Sequence, residues 1–194
     1  MQSRPVFYYD FNSPYAWLAA ERVNGVLPVP PVWQPVSFGH ILRATGRTPW
    51  SLREPTRTEG IAEVERRAAE RGLPTPRWIE GWPLATYSLL PLRAAVFAQQ
   101  AGRAVSFSLA AFRQLFAAGR TLAELDNVLI AAAAAELHPR AITQGVESKT
   151  VKDALRAATD EALGLGVVGV PTVAVGDQLF WGDDRLEDAA AALS

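Results

Sequence analysis

The sequence predicts an α/β fold interrupted by a large helical domain, and three observations predict it. Residues 5–36 run strand, helix, strand, a βαβ opening that implies parallel pairing. From Ser37 to about Gln144 the pattern turns to helices alone. After that come one more helix, a hairpin pattern and an alanine-rich helix. The expected division is a discontinuous α/β domain, residues 1–40 and 145–194, around a helical domain of residues 41–144.

Taken in order, residues 5–11, opening with the apolar, aromatic run Val6-Phe7-Tyr8-Tyr9, read as a buried strand. It stops at Asp10-Phe11-Asn12-Ser13, and Pro14 sets the backbone of a first helical turn. Ala16, Trp17, Ala19, Ala20 and Val23 give the helix over 14–23 an apolar side, and Asn24-Gly25 closes it. Prolines at 28, 30 and 31 mark a loop before a short edge strand within 29–36. In the helical block a charged helix over 58–71 ends at Gly72. A proline-rich loop with Trp78 and Trp82 follows, and helices over 88–100 and 108–118 each lead to a glycine. Thr121-Leu122-Ala123-Glu124 has capping-box spacing and opens a helix that His138-Pro139 ends. One helix covers 146–163. Strands within 167–175 and 178–181 flank a Gly176-Asp177 turn. Asp183 and Asp184 supply the N-cap and first turn of the last helix.

Composition excludes several classes. At 194 residues and 49% hydrophobic, the chain can bury a substantial core. A net charge of −1 without a basic block argues against nucleic-acid binding. No apolar run reaches membrane-spanning length and no signal-peptide core precedes the first strand, so a cytoplasmic location is expected. The absence of cysteine rules out disulfides and thiol–disulfide exchange by the protein itself. His40 and His138 stand far apart and read as structural, so no zinc site is expected.

The segment around Ser13 carries the chemistry. A hydroxyl at a helix start lies beside unpaired amides, where an anion is favoured. Asp10-Phe11-Asn12-Ser13-Pro14-Tyr15, then Gly169-Val170-Pro171-Thr172, then Leu179-Phe180-Trp181-Gly182-Asp183-Asp184-Arg185-Leu186 follow one another in order around the helical block. In this arrangement the chain resembles the thioredoxin-like proteins of the DsbA type. Within that group it is similar to 2-hydroxychromene-2-carboxylate isomerases and kappa-class glutathione transferases. The resemblance implies a thioredoxin-like fold with a large inserted helical domain, glutathione or another low-molecular-weight thiol as cofactor, and a homodimer. Ser13 and Ala16 stand where a redox relative has Cys-x-x-Cys, so Ser13 would donate to the ligand's sulfur and lower its pKa. By the same resemblance Pro171 is cis, and the backbone of Val170 pairs with the cysteinyl part of glutathione. Asp184 takes the γ-glutamyl ammonium, and amides of a helix starting near Asp183 take its carboxylate.

Against the family pattern, Arg47 in Gly46-Arg47-Thr48-Pro49-Trp50 stands where an asparagine is usual. Of the Lys-x-x-Tyr-x-x-x-Asp run, Arg57 replaces the lysine, while Gly60 and Val64 fall at the other two positions. Asp183 replaces a neutral residue, and its charge would repel the glutathione carboxylate. Tyr15, Arg47, Trp50 and Trp82 are the candidate contacts to a small aromatic or unsaturated substrate, with Arg47 suited to a carboxylate. Trp78 reads as packing. Lysine occurs only at 149 and 152 among many arginines, a bias of GC-rich bacterial genomes, in which other thiols can replace glutathione. Three readings stay open: such an isomerase, a kappa-like transferase, or a cysteine-free binding module. A serine hydrolase is a poor fit: no Gly-x-Ser-x-Gly occurs, and Pro14 suits a helix start better than a nucleophile elbow.

Overall fold

β1 (Val6–Tyr9) is paired on both edges and carries the rest of the sheet. The computed structural model describes residues 4–193; the expected domain ends at 1–3 and 194 lie outside the described residues. β2 (Val32–Pro35) runs parallel to β1, with Val6 opposite Val32. That pairing needs a crossover, which α1 (Pro14–Ala20) and α2 (Val23–Val26) provide. β3 (Thr172–Val175) lies antiparallel on the other edge of β1, with Phe7 opposite Val173. β4 (Gln178–Trp181) completes the order β2-β1-β3-β4 through a hairpin at Gly176-Asp177. As an edge strand, β2 accommodates Pro35. The sheet with its helical insertion is the thioredoxin-like α/β fold expected from the sequence.

The insertion begins with α3 (Phe38–Thr45), a 3₁₀ turn at Trp50–Leu52 and α4 (Thr56–Glu70). Between there and β3 the chain forms α5 (Leu89–Gln100), α6 (Ala104–Phe112), α7 (Leu125–Ala134), α8 (Pro139–Glu147) and α9 (Lys149–Gly164). α10 (Leu186–Ala191) follows β4. Alternate strand residues point to opposite faces of the sheet and so feed two cores. Phe7, Tyr9, Trp33 and Val173 join Trp17, Phe112 and most of the helical block. Tyr8 and Ala174 meet Ile41 of α3 and Ala162 of α9. In the larger core the Tyr9 ring packs on Phe7, Phe11, Trp33 and Phe112. Its hydroxyl is bonded to that of Ser108 at 2.7 Å, and burial pushes its ionisation far above the usual tyrosine range.

Several expected elements are corrected. The helix over 14–23 is two short ones, and Asn24-Gly25 lies inside the second. The capping box does not form: α7 starts at Leu125, and Thr121 Oγ1 instead accepts from the Ala123 amide at 3.3 Å. The segment 108–118 lies in α6 and a π turn at Arg113–Ala117. His138-Pro139 opens a helix as well as following one, because His138 Nδ1 accepts from the Arg140 amide and Pro139 occupies the first turn. The single helix expected over 146–163 is broken at Ser148, whose extended backbone and hydroxyl cap α9. The expected domain boundaries at 40/41 and 144/145 therefore fall inside α3 and α8. β3 begins only at Thr172, with residues 167–171 in a loop. The N-cap of α10 is Arg185 rather than Asp183 or Asp184. Among the described residues no helix is long and apolar enough to cross a membrane, and no cluster of His, Asp or Glu could hold a metal.

Candidate active site

β1 ends because Asp10 turns the chain. Its buried carboxyl accepts the Asn12 amide at 2.9 Å and the Phe38 amide at 2.8 Å, tying the following loop to the start of α3. Burial raises the pKa of this carboxyl, opposed by those two amides and the Ser88 hydroxyl. Asn12 fixes the loop on its other side: its side-chain amide donates to Pro83 O at 3.0 Å and its carbonyl accepts from Thr86. Ser13 thus reaches the N-cap of α1 already positioned. Its Oγ accepts from the Ala16 amide and donates to Val170 O, each at 3.2 Å. The Val170-Pro171 peptide bond is cis. α1 spans only seven residues, so its dipole adds little to what the hydroxyl supplies.

A cavity of about 620 Å³ opens over this contact, within the usual range for small-molecule sites. Ser13, Val170 and Pro171 line it together with Tyr15, Arg47, Trp50 and Trp82. Asp183 and Asp184 line it as well. The structure therefore brings every site residue expected from the sequence to one cavity. Trp82 contributes little accessible surface, being 3% exposed. Its ring is held between Trp50 at 5.6 Å and Trp78 at 4.8 Å, and Trp78 leads on to Phe116. Arg57 donates to Trp82 O at 3.1 Å and braces this wall from α4.

Trp50 stands edge-on to Tyr15 at 5.7 Å, and Gly60 explains how it fits. A Cβ on residue 60 would lie 2.4 Å from the Trp50 ring, so the indole uses space that any larger residue at 60 would claim. We expect Gly60→Ala to displace Trp50 at a cost of about 1–3 kcal/mol. Thermal melting and glutathione titration should both show the loss. Gly25→Ala, where nothing lies within 4 Å, is the matched control and should lower neither.

The acidic end differs from the sequence expectation. Asp183 is buried, and its carboxylate is held by Arg67 at 2.6 Å and Arg71 at 2.5 Å. Its charge is therefore compensated by two arginines, although the residue lines the cavity. Asp184 is the exposed one, with Arg67 Nη2 3.6 Å from its carboxylate. The helix expected to start near Asp183 begins at Leu186, with Arg185 as its N-cap. Arg67 is oriented in turn by Glu63, 2.6 Å from its Nε, and Arg66 with Arg67 holds the Glu63 carboxyl at about 2. The Arg67 guanidinium lies 5.5 Å from the Tyr15 ring centroid. Burial raises the Tyr15 pKa against the pull of Arg67, with Glu63, Asp183 and Asp184 adding to the rise, so its hydroxyl is a neutral donor at neutral pH.

Sequence reasoning missed Arg67 and Trp181, which also line the cavity. Gly60, Val64, Arg67, Ala68 and Arg71 recur at helical spacing on one face, a signal hidden by the many charges of α4. Trp181 lies over Gly169, where a Cβ would come within 2.6 Å of the indole, and Arg47 stacks on its ring at 4.6 Å.

Comparison with known proteins bears on this geometry. The family model of the DSBA-like thioredoxin domain matches residues 6–194. A protein from Sphingobium xenophagum named 2-hydroxychromene-2-carboxylate isomerase is 28% identical over 190 residues, covering 93% of each chain. Glutathione S-transferase kappa 2 of Caenorhabditis elegans is 27% identical over 205 residues, covering 97% of this chain and 90% of its own. A solved structure of a 2-hydroxychromene-2-carboxylate isomerase superposes with a TM-score of 0.88 at 18% identity, covering 98% of this chain and 94% of that one, a likeness of fold.

Proposed function

Because the chain belongs to the DSBA-like thioredoxin domain family, we propose that it is a glutathione-dependent isomerase of the 2-hydroxychromene-2-carboxylate type. Its substrate on this reading is an unsaturated, aromatic-derived electrophile. One observation carries the proposal: a buried hydroxyl, Ser13, spans from the start of α1 to the carbonyl before the cis-proline, within a ligand-sized cavity. Among the described residues there is no cysteine, so a sulfur in this cavity belongs to a ligand. The names of the two relatives, an isomerase and a glutathione transferase, support the same choice.

When bound, glutathione supplies a sulfur nucleophile that adds to the electrophile and leaves again, without net consumption. The protein's own residues make that thiolate available. Ser13 turns its O–H from Val170 O toward the sulfur and stabilises the charged form. The backbone of Val170, thereby released, pairs with the tripeptide. Asp184, exposed at the cavity's end, takes the ammonium group, while Arg67 keeps the neighbouring Asp183 neutralised. Arg47 faces the carboxylate of the electrophile, and Tyr15 donates a hydrogen bond from a neutral hydroxyl.

Calorimetric titration of the full chain with glutathione tests the reading. Binding in the micromolar-to-millimolar range is expected, with a rise in melting temperature that reaches about 2.7 kcal/mol of stabilisation at a hundredfold excess over Kd. Absence of binding would leave the cysteine-free binding module. A kappa-like transferase uses the same pocket, and its signature is glutathione consumed in proportion to product rather than recovered.

A further inference from the structure

Trp181 is 50% exposed, whereas the other five tryptophans are buried or partly buried. Burial therefore does not account for where its indole lies. Two contacts inside the Ser13 cavity do. The first is with Gly169, where a Cβ would come within 2.6 Å of the indole Cε2 and Nε1 and 2.8 Å of Cζ2. Any side chain at 169 would take the place of the ring. The second is with Arg47, whose guanidinium carbon stands over the ring, 4.6 Å from its centroid and within cation–π range. Arg47 and Trp181 both line the cavity, one from the loop after α3 and the other from the last position of β4.

Arg47 has no other use in the structure. It makes no ion pair or side-chain hydrogen bond among the described residues, while Arg22, Arg67, Arg71 and Arg113 are all held by carboxylates. A guanidinium lying on a ring keeps its in-plane N–H groups free, and those are the groups that grip a carboxylate through two parallel bonds. The backbone around it is already fixed. Gly46 caps α3 at φ 66°, the Arg47 amide donates to Leu42 O at 3.1 Å, and Thr48 Oγ1 accepts from Arg53 at 3.1 Å. The freedom that remains is in the long Arg47 side chain, and ordering it is a cost that a ligand would otherwise meet on binding. Stacking on Trp181 meets that cost in advance.

We propose that Trp181 is a positioning residue: by holding the Arg47 guanidinium on its ring, it sets how strongly the cavity prefers a ligand with a carboxylate beyond the tripeptide. That Arg47 meets such a carboxylate rests on the thiolate reading; the stack that orders it does not.

The test is calorimetry on the full chain with S-benzylglutathione and S-(4-carboxybenzyl)glutathione, which share the tripeptide and differ by one carboxylate. The unaltered chain should bind the carboxylated conjugate about tenfold more tightly, and Arg47→Met should abolish that preference. Trp181→Leu keeps apolar bulk without an aromatic ring and should reduce the preference about two- to fivefold. Trp181→Phe restores a ring and should recover most of it. Because the readout is a ratio, general loosening of the cavity moves both ligands together and cancels. A preference unchanged in Trp181→Leu overturns the proposal, as does one lost as fully in Trp181→Phe as in Trp181→Leu. Equal binding of both conjugates by the unaltered chain removes the role of Trp181 and leaves the thiolate reading standing. If neither conjugate nor glutathione itself binds, the thiolate reading falls and this proposal falls with it.

Discussion

Ser13→Ala is expected to leave glutathione bound but largely protonated. A hydrogen bond to a charged acceptor contributes about 1.5–3 kcal/mol, which corresponds to about one to two pKa units of the bound thiol. Turnover at neutral pH should fall about ten- to a hundredfold, and the pH profile should move toward alkaline values as the thiol recovers its ordinary acidity. The substitution also removes the side-chain cap that accepts the Ala16 amide, worth about 1 kcal/mol of stability. Ser13→Thr separates these effects, because it keeps the hydroxyl and should retain most of the thiolate absorbance. If Ser13→Ala shows the same thiolate absorbance and turnover as the unaltered chain, the hydroxyl is not the group that stabilises the sulfur.

The largest stability effect is expected at Asp183, for a different reason. Its carboxylate, 1% exposed, sits between Arg67 and Arg71, whose side chains are 20% and 19% exposed. Asp183→Ala leaves two partly buried guanidinium groups facing each other without their shared counter-ion. Breaking a buried pair in this way costs about 3–5 kcal/mol. Arg66→Ala, removing ion pairs from a side chain 54% exposed, should cost far less, because water screens both charges. Denaturant unfolding measures both, and equal midpoints for Asp183→Ala and the unaltered chain would refute the account. The variant should also lose order at the acidic end of the cavity, since Asp183 helps hold Arg67 beside Tyr15.

The parts of the molecule that were legible in the sequence have short-range causes. Val6-Phe7-Tyr8-Tyr9 and the Gly176-Asp177 hairpin declare their strands through composition and turn residues, and the strands form there, shorter than the expected 5–11 and 167–175. Ser13-Pro14 declares a helix start for the same reason. Helix junctions were less legible, because they depend on which local partner wins. Thr121 bonds the Ala123 amide rather than closing a capping box, and Ser148 breaks what hydrophobic spacing joins into one helix. The compensation of Asp183 was not legible because its counter-ions come from α4 and its C-terminal end, 116 residues away for Arg67. No local pattern announces such a pair. Trp50 and Gly60 stand between these cases: the exchange of a large residue at 60 for an indole at 50 is visible only once the ring is seen filling the gap.

The Ser13–Val170 contact has a consequence for how the chain comes to be able to bind anything. The two residues are 157 positions apart, and β3 completes its pairing with β1 across the same interval. During synthesis at about 5–20 residues per second, Ser13 waits roughly 8–30 s before Val170 is made. Through that time the central strand has one edge unpaired, and the helical block is the part that can fold locally. A growing chain can therefore acquire most of its helices while having no pocket. Ligand capture is the last property to arrive, which makes it a readout of finished folding as much as of function.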